Sequence, residues 1–191
     1  MATPNGRPER LRADCEGSLR RLRLDTTIDL WQLHRIDPEI ALEEQFGAIR
    51  ELRDEGKIRF VGVSEVSVDQ LRRARQLVDI ATVQNRFNLT DRTADDVLRE
   101  CEADGLGFLP WAPIARGDLL GSSGALASVV ARHGATQAQI ALAWLLHRSP
   151  VVRPIPGTGS PEHLRENVNA AQIELSENDL ATLEDSIRRP S

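Results

Sequence analysis

The feature that most constrains this chain is a regular alternation. Five short runs rich in β-branched and aliphatic residues, at 28–33, 58–63, 80–84, 107–111 and 151–155, are separated by longer stretches whose apolar residues recur at helical spacing. Strands of a parallel sheet are covered on both faces, so they read as short apolar runs, and each needs a crossover element to reach the next. The intervening stretches supply those crossovers: Leu42, Phe46, Ile49 and Leu52 share one helical face, Val68, Leu71 and Leu77 another, and Ile140, Leu142, Trp144 and Leu145 a third. The pattern predicts an α/β fold of repeated βα units.

Helix start signals support the same division. Ser67 with Gln70 has the spacing of a capping box, Ser176 with Asp179 is its acidic counterpart, and Ser160 precedes a proline at the first helical position, Pro161. A helix over 8–24 carries Leu11, Cys15, Leu19 and Leu22 on one face and comes before the first strand, as a helix without a strand of its own. Residues 117–124 form a Gly/Ser-containing loop before a helix beginning near Ala125. No linker composition divides the chain, so 1–191 is expected as one domain, with residues 1–6 outside the fold.

Composition excludes several partners. Acids and bases are interleaved and the formal net charge is -5, so no basic stripe for nucleic acid exists. The N-terminus is polar and no apolar stretch approaches the roughly 18 residues of a membrane span, so a soluble, cytoplasmic protein is expected. Cys15 and Cys101 stand alone in helical stretches, without metal-binding spacing, so no metal is expected and both are read as buried thiols. Two counts matter more: the chain has no tyrosine, and its one lysine is Lys57.

In a parallel β/α arrangement, chemistry collects at the C-terminal ends of strands. Those positions hold Leu33-His34-Arg35-Ile36-Asp37, Gly62-Val63-Ser64-Glu65, Val83-Gln84-Asn85, Trp111-Ala112-Pro113 and Pro156-Gly157-Thr158-Gly159-Ser160, the last continuing to His163, Glu166 and Asn167. In this order the motifs resemble the aldo/keto reductases from about residue 7 to 188, over strands four to eight of that family's (β/α)8 TIM barrel. The resemblance implies a partial barrel of about five βα units with a C-terminal helix. It also implies reduction of an aldehyde or ketone with a nicotinamide nucleotide, NADPH more than NADH.

By the same resemblance, His34 is the active-site histidine that orients the substrate carbonyl. Ser64 and Gln84 hold the nicotinamide carboxamide, while Glu65 replaces the asparagine frequent beside them. Trp111 stacks on the nicotinamide, with Ala112 and Pro113 next to it. The 157–160 turn, Gly157, Thr158 and Ser160 included, opens a helix toward the phosphates, and His163, Glu166 and Asn167 face the adenosine. Gly157 and His163 stand where NADPH-preferring members often carry lysine and arginine. The 116–124 loop is a candidate substrate contact.

The family's tetrad is Asp, Tyr, Lys and His, and only the histidine is present. Lys57 belongs to a turn entering a strand, where a solvated surface lysine is expected, and cannot take the missing role. The chain is therefore expected to be inactive alone, and to self-associate through open strand edges. A non-catalytic nucleotide-binding or regulatory partner subunit is the alternative. A hydrolase with paired carboxylates would have only Asp37 and Glu65 at strand ends, and is the weakest reading.

Overall fold

The computed structural model describes residues 4–25, 27–114 and 124–188. The chain falls into two compact units, the first ending at Gln84 and the second starting at Asn85.

The first unit begins with helix α1 (Pro8–Leu22), which starts on a proline and ends on Arg23 in the left-handed region, φ 55°. Strand β1 (Ile28–Leu33), helix α2 (Leu42–Asp54), strand β2 (Ile58–Ser64), helix α3 (Val68–Leu77) and strand β3 (Ile80–Gln84) follow. β1 pairs with β2 and β2 with β3, both in parallel. Phe46, Ile49 and Leu52 on α2 and Val61 and Val63 on β2 are fully buried, so the helical and strand patterns meet in one core. The capping box at Ser67 is formed in both directions.

Gly62 is needed where it stands. Gln32 and Thr82 cross over it from the strands on either side, and a Cβ there would lie 1.9 Å from Gln32 Oε1 and 2.3 Å from Thr82 Oγ1. Gly6 is also buried and its N–H donates to Asp37 Oδ2 at 2.9 Å, so this residue belongs to the fold instead of lying outside it.

In the second unit helix α4 (Asp95–Asp104) leads to strand β4 (Gly107–Phe108), followed by helices α5 (Gly124–His133), α6 (Gln137–Arg148) and α7 (Pro161–Asn169), a 3-10 turn, and α8 (Glu177–Arg188). The expected strand over 107–111 is therefore shorter. The run at 151–155 is reduced to a bridge, Phe108 with Val152, and a second bridge joins Arg86 to Trp111. The segments still run side by side: Arg153 N–H donates to Phe108 O and Ile155 N–H to Pro110 O. Pro110, next in turn to donate back after Phe108, has no N–H to give, and that interrupts the ladder. Phe87 packs edge-on to Phe108 and stacks on Trp144, with centroids 5.7 and 6.0 Å apart.

Helix starts follow their signals here too. Ser160 Oγ accepts from His163 N–H, and Ser176 exchanges hydrogen bonds with Asp179. Thr136 and Gln139 form a further capping box. Asp179, buried, also accepts from Arg132 and approaches His133 Nε2 at 3.0 Å; these partners, Ser176 first, hold its carboxyl well below the usual range.

Candidate functional site

Because β1, β2 and β3 are parallel, their C-terminal ends lie at one edge of the first unit's sheet. This brings His34, Arg35, Ser64, Glu65 and Gln84 to the same side. Ser64 Oγ donates to Gln84 O at 2.8 Å, and Glu65 N–H donates to the same carbonyl at 3.0 Å. Glu65 has φ 55°, the left-handed region, which turns the chain away directly after the strand. The Gln84 side-chain amide makes no hydrogen bond among the described residues. His34 is exposed and Arg35 half-buried.

The loop after β1 is held from beneath by a residue the sequence reading did not single out. Gln45, fully buried on α2, accepts from Asp37 N–H at 2.9 Å and donates through Nε2 to Asp37 O and Ile40 O. Asp37 in turn accepts from the backbone N–H groups of Gly6 and Glu39, which hold its carboxyl below the ordinary range. A carboxylate committed in this way acts as a clamp on the loop. A glutamine twelve residues after a strand end carries no sequence signal of such a role.

Lys57 is a correction. It lies at the entry to β2 as expected, but its side chain is only 28% exposed and pairs with Glu16 at 2.7 Å and Glu55 at 2.9 Å. Arg12 completes the cluster on Glu55 and Glu51. Packing of α1 against α2 brings these charges together, and it could not be read from a single turn. Both carboxylates hold the lysine's pKa above its usual value, Glu16 first, so it remains a locked cation.

In the second unit Trp111 is half-buried and its backbone N–H donates to Asn85 O at 3.2 Å. The Arg86 guanidinium lies 5.6 Å from its ring centroid. Ala112 takes φ 51°, and Pro113 is buried. Asn88, fully buried and also not singled out, fixes this turn by donating to Ala112 O at 3.0 Å while its Oδ1 accepts from Thr90 and Asp91 N–H.

The 157–160 turn precedes α7 as expected. One of its donors is used internally, Ser160 N–H on Thr158 Oγ1, and Ser160 Oγ accepts from His163 N–H in the first turn of α7. Gly157 and Gly159 are exposed, and a Cβ at either would meet nothing within 4 Å, so a longer side chain is not excluded at Gly157. His163 is exposed; Glu166 and Asn167 are half-buried, with Glu166 O accepting from Gln139. The 116–124 loop lies outside the described residues, save Gly124 at the start of α5. Both cysteines are buried, as expected, and no cluster of metal-ligating side chains occurs among the described residues. No helix described is long and apolar enough to cross a membrane.

The parallel strands β1, β2 and β3 thus bring an exposed histidine, a hydroxyl and an unengaged amide to one edge of the first unit's sheet. The chain belongs to the aldo/keto reductase family, whose model matches residues 1–188. It is 46% identical over 182 residues to an uncharacterised oxidoreductase of Schizosaccharomyces pombe, covering 95% of this chain and 59% of that protein. It is 39% identical over 146 residues to pyridoxine 4-dehydrogenase of Escherichia coli, covering 76% of this chain and 51% of that enzyme. Among solved structures it superposes with a TM-score of 0.88 on a thermostable aldo-keto reductase bound to the inhibitor epalrestat, at 36% identity, covering 94% of this chain and 67% of that one. The value is 0.83 for an aldo/keto reductase of Klebsiella pneumoniae in complex with NADP and acetate, at 34% identity, covering 94% of this chain and 65% of that one. The fold class is thus α/β of the (β/α)8-barrel family. The chain spans about half to three fifths of the length of these curated relatives.

Proposed function

We propose that this chain is the cofactor-holding and carbonyl-orienting part of an NAD(P)H-dependent carbonyl reductase, and that it does not reduce carbonyls by itself. The observation that carries the second half is the absence of any tyrosine, with the only lysine locked to Glu16 and Glu55 at the far end of the strands. A positioned general acid contributes about 10² to 10⁴ in rate, and the described residues at the strand C-terminal edge of the first unit include no phenol or ammonium to take its place.

The residues present fit a nicotinamide nucleotide. The unengaged Gln84 amide beside the Ser64 hydroxyl offers donor and acceptor to a carboxamide. Trp111 supplies an aromatic face, with Ala112 and Pro113 shaping the turn after it. The 157–160 turn would receive phosphate groups, with His163, Glu166 and Asn167 on the adenosine side. When bound, such a nucleotide supplies hydride to the carbonyl carbon. His34 would hold the carbonyl oxygen by hydrogen bonding. The Klebsiella pneumoniae relatives are complexes with NADP and NADPH, which favours NADP over NAD here. A cytoplasmic location belongs to the same reading.

A second reading has support from β1, which pairs only with β2 and so leaves one edge of the sheet open among the described residues. Through that edge the chain would act as a nucleotide-binding partner subunit, associating with another polypeptide or itself. One experiment addresses both. The protein is titrated with NADPH by fluorescence, assayed for oxidation of NADPH with 4-nitrobenzaldehyde, and sized by sedimentation. Binding without turnover is expected; turnover by the 191-residue chain would defeat the proposal, and a monomer would defeat self-association through that edge.

A further inference from the structure

The half-buried cations of the first unit's sheet are not used alike at its two ends. Arg12, Arg53 and Lys57, at the strand entries, each hold a carboxylate. Arg35, at the exit of β1, holds only neutral oxygens: its Nη1 donates to His34 O at 2.7 Å and to Ser64 Oγ at 3.3 Å. A guanidinium has five N–H donors, and both of these contacts run through Nη1. The Nε and Nη2 edge, which meets a carboxylate side-on with two parallel hydrogen bonds, is without a protein partner among the described residues.

Arg35 is also next to the residue that would face the reacting carbonyl. His34 and Arg35 line one open groove of about 520 Å³ together with Asn5, Arg10 and Trp31. Arg10 is already engaged by Asp14 at 2.9 Å, so the groove offers one uncompensated positive charge and one indole surface. A single guanidinium matches a singly charged planar carboxylate; a phosphate dianion would leave half its charge unmet.

We propose that Arg35 is a specificity-determining residue that binds the carboxylate of a small carbonyl compound, an aromatic 2-oxo acid being the class that best fits the charge and the indole. This rests on the reductase reading for the word substrate, while the anion site stands on geometry. Arg35 grips the carboxylate with its free edge and leaves the adjoining carbonyl to His34.

The test is a titration of the full chain with phenylglyoxylate and with its neutral methyl ester, followed through the Arg35 Nε–H and His34 ring resonances. The acid should bind more tightly than the ester. Arg35→Gln should lower acid affinity about tenfold and leave ester affinity unchanged, since a charge-assisted pair is lost. Arg35→Lys, which keeps the charge without the fork, should recover only part. Unchanged acid binding in Arg35→Gln, equal losses for both probes, or no acid binding by the wild type would each overturn the proposal. A parallel NADPH titration separates the two readings. Arg35-dependent acid binding without NADPH binding keeps the anion site and removes the reductase reading. Loss of NADPH affinity alone in Arg35→Gln assigns Arg35 to a nucleotide phosphate and overturns the proposal.

Discussion

The entry and exit ends of strands β1, β2 and β3 belong to the same framework and are used in opposite ways. At the entry end charges are closed on one another: Lys57 on Glu16 and Glu55, Arg12 on Glu55 and Glu51, Arg53 on Asp79. At the exit end His34 is exposed, the Gln84 amide is unengaged, and Arg35 holds only neutral oxygens. Open hydrogen-bonding capacity on a fixed framework is what recognition requires, whereas satisfied pairs serve the fold. The framework is fixed at the exit end by Gln45, Asp37 and Gly6, which pin the loop carrying His34 without entering its chemistry.

That contrast can be broken in three places. The largest effect is expected from Gln45→Leu, which leaves Asp37 N–H and Ile40 O without this partner and Asp37 O with only the Ile40 N–H; a loss of about 2 to 4 kcal/mol in unfolding free energy, measured in urea, is expected from the cost of orphaned backbone groups. A change within error would mean that water replaces the amide and the loop is not pinned. Gly62→Val comes next, because its side chain must displace Gln32 and Thr82; about 1 to 3 kcal/mol is expected. A neutral result by the same measurement would show that the two strands spread at no cost.

The smallest effect is expected at the entry end and appears as a pH dependence. The Arg12 and Lys57 hydrogen bonds pull the Glu55 carboxyl down to about 2, from an ordinary value of 4.5. A depressed carboxylate stabilises fully above its unfolded value and loses that contribution as pH falls through its folded one. The urea midpoint of Glu55→Gln should therefore lie below that of the wild type at pH 6 and converge with it between pH 4.5 and 2. Parallel curves over that range would show that the exposed pairs contribute nothing to stability.

What sequence alone determined was local and periodic. Apolar spacing placed the helices, Ser67, Ser160 and Ser176 placed their starts, and the order of motifs after the strands named the family, since each depends on residues within a few positions of one another. Tertiary structure decided the rest. The strand run at 151–155 became a bridge because Pro110 opposite it has no N–H to give, Asp37 became a clamp because Gly6 reaches it from 31 residues away, and Lys57 was drawn into an ion-pair cluster by a helix 41 residues upstream. Burial and pairing depend on which distant groups arrive beside a residue, and only the folded chain contains that information.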